Sequence, residues 1–314
     1  MDPDGALPQS IGAVPPPRTR GPRFGLGAEG GRSLLIALVS TVVVFGVIGY
    51  VVVNSPGWPR VQDAFLNGPI FWESLPKIVS KFWVNVQLFL VAEVLILAFG
   101  LVLAILRGLP GPVFFPIRLA ATAYVDIFRA LPGLLVVIVL GIGVPALRIE
   151  GVPKDEFFYA VVALTLIYSA YVSEVYRAGI ESVHPSQQAA ARSLGLSQTQ
   201  AMRYVIVPQA VRRVIPPLLN DFIGLQKDTV LVSTIGVVEI FRQSQILVAA
   251  NFNFTPYVAT ALVFLLLTIP LARFTDWLVA RQRGRGQGQV AAGNRSGIAL
   301  GGLTRGGTTV GGAK

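Results

Sequence analysis

The sequence predicts an all-α polytopic bundle of about six membrane spans, with a helix-glycine-helix loop on its cytoplasmic side. Three observations predict it. Of 314 residues, 53% are hydrophobic and only 13% charged, about half the charge of a soluble domain. Mean hydropathy is +0.64. Uncharged apolar runs of about 20 residues recur, the length that crosses a hydrocarbon core of about 30 Å.

Residues 1–33 are rich in Pro, Gly and Arg without apolar periodicity, and predict a disordered cytoplasmic tail. A first span covers 34–53. A cleaved signal peptide would have a shorter apolar core ending at a small-residue site, whereas this run is followed by Asn54-Ser55-Pro56-Gly57. Residues 54–81 read as an external amphipathic or irregular segment. The second span runs over Phe82–Leu106, the third over about Leu119–Val144 and the fourth over about Phe157–Ile180. The polar loop 181–213 follows, then a fifth span over about Ile215–Ile240 and a sixth over about Pro256–Ala280. Residues 82–280 thus form one five-span domain behind an extra N-terminal helix, and 281–314 read as a disordered Gly/Arg-rich cytoplasmic tail.

Six spans put both termini on one side. With that side cytoplasmic, the inside segments hold fourteen arginines before the distal tail is counted, against six Lys and Arg outside. This bias predicts cytoplasmic termini. It also accounts for the net charge of +10 without nucleic acid, and the Arg281–Arg285 stretch reads as an anchor at the inner leaflet. Cysteine is absent and His184 is the one histidine. That removes disulfides, thiolate chemistry and His-cluster metal sites, so no catalytic residue and no metal site is expected. No G-x-x-x-x-G-K-[ST] phosphate loop occurs, so the chain itself holds no ATP by that motif.

The stretch 183–207 carries the strongest local signal. Pro185 suits the first position of a helix, and Ser186 to Leu194 are mostly good helix formers. Gly195 fits the left-handed position that closes a helix. Ser197 and Gln200 form an S-x-x-Q capping box for a second helix, which Pro208 is expected to end. Ala189, Ala190 and Ala191 leave the first helix smooth, suited either to a groove on another protein or to the membrane surface. Composition does not decide between these.

Ionisable groups at membrane depth mark pairing or a pathway. Asp126 and Arg129, like Glu174 and Arg177, stand at i, i+3 and are expected to pair on one helix face. Lys227 and Asp228 interrupt the fifth span and, being adjacent, each need a partner elsewhere. With Asn220, Thr229, Ser233 and Thr234 they offer a cation, an anion and hydrogen-bonding groups, suited to a zwitterion or to interhelical bonds. Glu93 is a mid-span carboxyl without an assigned role.

Ordered motifs then point to a family. Ala170-Tyr-Val-Ser-Glu174-Val-Tyr-Arg177-Ala-Gly-Ile180 is followed by Ser186-Gln187-Gln188-Ala189-Ala190-Ala191-Arg192-Ser193-Leu194-Gly195. Pro208-Gln209-Ala210-Val-Arg212, Pro216-Pro217-Leu218-Leu219-Asn220 and Lys227-Asp228-Thr229-Val230-Leu231 come next, with Tyr124-Val-Asp126-Ile-Phe128-Arg129-Ala-Leu-Pro132 upstream. Over about 82–280 this text resembles the polar amino acid permease family of ABC importers, and the loop resembles their EAA loop. Gln188 stands where the family usually has Glu, and Ser186 where it usually has Gly.

The resemblance implies an inner-membrane permease subunit that carries amino acids. Its Gln187, Gln188, Ala189, Ala190, Arg192, Ser193, Leu194 and Gly195 would dock in a cytoplasmic ATPase dimer. It implies a second permease subunit, identical or related, and an extracytoplasmic solute-binding protein. It also implies ATP and Mg on the ATPase, with no cofactor on this chain. Arg129, Glu174, Arg177, Asn220, Lys227, Asp228 and Thr229 are its pathway or intramembrane pairing candidates. A gradient-driven secondary transporter needs no ATPase dock, and a membrane enzyme lacks chemistry here; these are the alternatives.

Overall fold

A computed structural model describes residues 28–302, with side chains described over 31–281. Twelve α-helices follow in order. They are α1 (Ala28–Val53), α2 (Trp58–Phe65), α3 (Gly68–Arg107), α4 (Phe115–Ala130), α5 (Gly133–Ile138), α6 (Val144–Ala146), α7 (Glu156–Glu181), α8 (Pro185–Ser193), α9 (Gln198–Ala201), α10 (Val207–Asp228), α11 (Ile240–Asn251) and α12 (Thr255–Gly302). No strand occurs among the described residues. Four helices are long and apolar enough to cross a membrane, and six spans result if each of two bent helix pairs counts as one.

The first unit, up to Val61, holds α1, whose 26 residues make a rod of about 39 Å. It starts six residues before the expected Leu34. The tail expected over 1–33 otherwise lies outside the described residues, as does 303–314.

In the second unit, from Gln62, three expectations are corrected, and the stretch 54–81, expected to be amphipathic or irregular, is largely helical. Asn67 caps α3 by accepting from the Ile70 N–H, and 40 continuous residues give a helix of about 60 Å, well beyond one bilayer core. The third span is not continuous. Pro132 disfavours the helical conformation at the preceding residue, so Leu131 is extended (ψ 138°). α4 and the α5–α6 segment meet at a bend of 105°. The fifth span breaks as well. After α10 the chain tightens into a 3₁₀ turn (Thr229–Ile235), turns at Gly236 (φ 105°) and restarts as α11, a bend of 49°. Finally, the backbone stays helical from Thr255 to Gly302, past the expected end at Ala280. The Gly-rich sequence does not account for that extension.

α7 is the centre of the bundle. Ala160, Ala163, Leu164 and Ile167 on it bury against Leu88, Ala92 and Ile96 of α3, with Val136, Val137, Leu225 and Val232 closing the cluster. Lipid tails are as apolar as leucine, so helices associate in a membrane by close packing rather than by escaping water. Small residues supply that closeness. At Gly100 a Cβ would stand 2.8 Å from Val172 Cγ1 and 3.2 Å from the Ser169 carbonyl oxygen. α3 and α7 run parallel, since the C-terminal Arg107 meets Glu174 while Gly100 meets Val172.

Gly100→Val is therefore expected to lower stability by about 1–3 kcal/mol through overpacking. Gly46→Val in α1, where nothing lies within 4 Å, carries the same change of helix propensity without the clash. Equal melting midpoints for the two variants in detergent would refute the close α3–α7 contact.

Candidate coupling loop and translocation face

The loop after α7 is built by its own short-range chemistry. The His184 ring accepts from the Ser186 N–H (3.2 Å) and caps α8. At the other end the Gly195 N–H donates to the Arg192 carbonyl (3.0 Å) and the Leu196 N–H to the Ala191 carbonyl (3.2 Å). That hydrogen-bond pair needs a left-handed residue at its centre, and Gly195 has φ +86°. Ser197 and Gln200 then cap each other's backbone (2.8 and 3.3 Å) and open α9. Pro208 does not end the second helix. The chain widens into a π turn over Met202–Ile206, which removes the bond that the missing proline N–H would have made, and runs on as α10.

Val183, Ile206 and Ala210, with Met202 and Val205, form a small core beneath the loop, and the Arg213 guanidinium donates to the Ser182 carbonyl. Gln209 bridges to Gln187 (3.5 Å) and to the Val205 carbonyl (3.0 Å). Ala191 turns inward and Gln188 is half-buried, while Gln187, Ala189, Ala190, Arg192, Ser193 and Leu194 face outward. Leu194 is 84% exposed, an apolar side chain standing free on a polar loop.

About two turns before this loop lies a charge hub. Glu174 receives Arg107 at 2.6 Å, Arg177 at 2.7 Å and Arg129 at 3.8 Å. Arg177 also holds Glu181 at 2.7 Å. The predicted Glu174–Arg177 pair is thus one part of a larger cluster that ties α3, α4 and α7 together. The Asp126–Arg129 pair does not form. Arg129 turns instead to Glu174 and lies over the Tyr171 ring at 5.9 Å. Sequence reasoning missed Arg107, since 67 residues separate it from Glu174. Beside the hub a cleft of about 390 Å³ is lined by Glu174, Ala178, Gly179, Ser182, Arg213 and Pro217.

The polar residues of the broken fifth span divide into two groups. Asp228 accepts from the Tyr168 hydroxyl (2.8 Å), and the buried Thr229 accepts from Asn85 (3.0 Å). Asn85 also donates to Glu239 (3.0 Å) and accepts from the Ile240 N–H (3.1 Å). Glu239 is 0% exposed. Its carboxylate caps α11 by accepting from Phe241 and Arg242 N–H groups (2.9 and 2.7 Å), where the helix dipole favours negative charge. Asn220 and Lys227, by contrast, lie exposed on the surface of the fold. Lys227 makes no ion pair among the described residues; of the partners expected for it, another helix, another subunit or the passing substrate, no described helix of this chain supplies one. Asn85 and Glu239 were not singled out from the sequence; a carboxyl three residues after a glycine in an apolar run was the available signal.

Comparison with known proteins decides the family. The profile of the binding-protein-dependent transport system inner membrane component matches residues 96–284. This chain belongs to that family. Among similar proteins, the probable glutamine ABC transporter permease GlnM of Bacillus subtilis is 33% identical over 69% of this chain and 98% of its own. The glutamate transport system permease GluC of Corynebacterium efficiens is 35% identical, covering 64% and 92% respectively. A crystal structure of an amino acid ABC transporter with histidines superposes with TM-score 0.61 at 32% identity, over 66% of this permease and 94% of that chain. The inward-facing MetNI methionine transporter matches at 0.54 and 19% identity, a likeness of fold alone. The permease is therefore a multi-pass inner-membrane transport subunit.

Distances rank the hub's members. Of the two arginines from other helices, Arg107 makes the shorter, nearly buried contact, and its removal is expected to cost more, about 1.5–3 kcal/mol for a hydrogen bond to a charged group. Arg129, at 3.8 Å and 44% exposed, is expected to cost no more than about 1 kcal/mol. Glu174→Gln, which leaves three guanidiniums without their shared carboxylate, should exceed both. Melting midpoints of Arg107→Gln, Arg129→Gln and Glu174→Gln check the order, and a larger loss at Arg129 would contradict it.

Proposed function

We propose that this permease forms the translocation path of an ATP-driven importer for polar or charged amino acids. It is coupled through the 183–207 loop to separate ATPase subunits. The observation that carries the reading is the exposed helix-Gly-helix loop, set on its own small core directly below the Glu174 hub. Such a surface has no use in a gradient-driven transporter, and the relatives named above are permeases for glutamine and glutamate.

In this reading the loop's Gln187, Gln188, Ala189, Ala190, Arg192, Ser193, Leu194 and Gly195 seat in a cytoplasmic ABC ATPase dimer, which holds the ATP and Mg. A second permease subunit, identical or related, completes the path, and an extracytoplasmic solute-binding protein delivers the amino acid. The chain is not itself an enzyme. Both termini and the loop are cytoplasmic, as the fourteen-to-six excess of basic residues favours.

The deciding experiment is uptake of a labelled amino-acid panel into proteoliposomes holding permease, ATPase and binding protein. Uptake driven by an ion gradient without the ATPase would overturn the reading. Gly195→Val tests the loop within that assay. A β-branched residue at φ +86° is strained by about 1–2 kcal/mol or more, yet nothing lies within 4 Å of the new Cβ, so the distortion stays in the loop. Insertion is expected to persist while uptake and binding-protein-stimulated ATPase are lost; wild-type uptake would exclude the docking role.

Orientation is tested separately, since the chain has no native cysteine. In intact cells an impermeant thiol reagent is expected to label Lys77→Cys and to spare Ser197→Cys. The reverse pattern inverts the topology.

A further inference from the structure

Among the described residues, two that are not glycine hold left-handed backbone angles, Arg148 (φ 51°) and Phe252 (φ 53°). Both lie at the end of the second unit opposite the coupling loop. α3 and α7 run parallel and bring their C-termini to the Glu174 hub, so their N-termini mark the other end. Arg148 precedes α7 there. Phe252 lies beside the start of α3, because Asn67 donates its N–H to Thr255 (3.1 Å).

Phe252 is 93% exposed, and the loop that presents it is firmly held. Its own N–H donates to the Val248 carbonyl (2.8 Å), and the Phe254 N–H to the Ala64 carbonyl (2.8 Å). Asn253 donates to the Asp63 carbonyl (2.6 Å) and accepts from the Thr255 N–H (2.9 Å). Phe254 stacks on Phe65 with centroids 5.1 Å apart. Glycine or asparagine takes a left-handed angle with little strain, whereas a bulky side chain does so at a cost. Here the strained position carries a ring that packs on nothing, while its neighbours Asn251 and Asn253 are the residue type that suits it. Local strain of this kind, imposed by a rigid surround, gathers at functional contacts. In the second loop, Arg148 is flanked by Leu147 and Ile149, both exposed.

A fully exposed aromatic on a rigid support has the form of an interface anchor, and aromatics and arginine dominate the energetics of protein contacts. Tryptophan and tyrosine, rather than phenylalanine, suit the lipid headgroup region, and the exposed polar neighbour Asn251 argues against insertion. The transport of this family depends on a binding protein, which must meet the end away from the ATPase. We propose that Phe252, with the loop around Arg148, is the docking point for that solute-binding protein, through an apolar pocket with an acidic rim. This inference rests on the importer reading.

The test uses the assembled permease–ATPase complex in lipid nanodiscs and the purified solute-binding protein that supports uptake by the wild type. The concentration of binding protein giving half-maximal ATPase stimulation is measured for wild type, Phe252→Tyr and Phe252→Gly. Phe252→Gly is expected to raise it tenfold or more, and Phe252→Tyr to stay within threefold. Because glycine relieves the strained angle, the thermal midpoint of Phe252→Gly should hold or rise, which a merely structural ring would not allow. An unchanged half-maximal concentration overturns the proposal. So does a fall in midpoint or in permease pairing, which would assign the ring to lipid or to a second copy. If no binding protein stimulates even the wild type, the importer reading itself fails, a pattern distinct from stimulation that survives Phe252→Gly.

Discussion

Three guanidinium groups converge on one carboxylate at the point where α3, α4 and α7 come together, and the coupling loop begins seven residues beyond it. A charge at membrane depth is costly alone and tolerable when paired. Glu174 therefore constrains where Arg107, Arg129 and Arg177 can lie, and with them the ends of three helices. The cluster is unequal. Arg107 and Arg177 are held tightly, while Arg129 is loose, shared with an aromatic face and partly open to solvent. The hub thus joins α7 to α3 by its shortest contact and to α4 by its longest.

On both sides of the hub the bundle depends on closeness rather than on charge. Gly100 against Val172, and Gly179 against Val214, bring backbone to within reach of side chains on the next helix. In lipid this dispersion contact is the main source of helix association. It also packs α7 directly on both α3 and α10. Two spans are broken, at Leu131–Pro132 and around Gly236. The polar groups freed at the second break are met inside the protein by Asn85, Glu239 and Thr229. Irregular backbone at this depth is tolerated only when satisfied in that way.

How much was legible follows from how far each interaction reaches. The number of spans, the helix-Gly-helix loop, the Ser197–Gln200 box and the left-handed Gly195 depend on residues within one or two turns of each other, and composition and spacing carried them. The bend at Pro132 has an equally local cause, but reading Leu119–Val144 as one span concealed it. The continuation through Pro208 required a π turn, which no spacing announces.

The chain by itself thus determined that it is a membrane bundle, where its polar loop lies and how that loop folds, because lipid burial and backbone capping are decided locally. Only the tertiary structure decided which charges meet. Glu174 takes Arg107 from 67 residues away and Asn85 takes Glu239 from 154 away, while Asp126 loses the neighbour that helical spacing offered it. In a medium of low dielectric an ionised group is drawn to whichever partner the packing brings within hydrogen-bond distance, and that partner is chosen by the arrangement of helices, not by proximity in sequence.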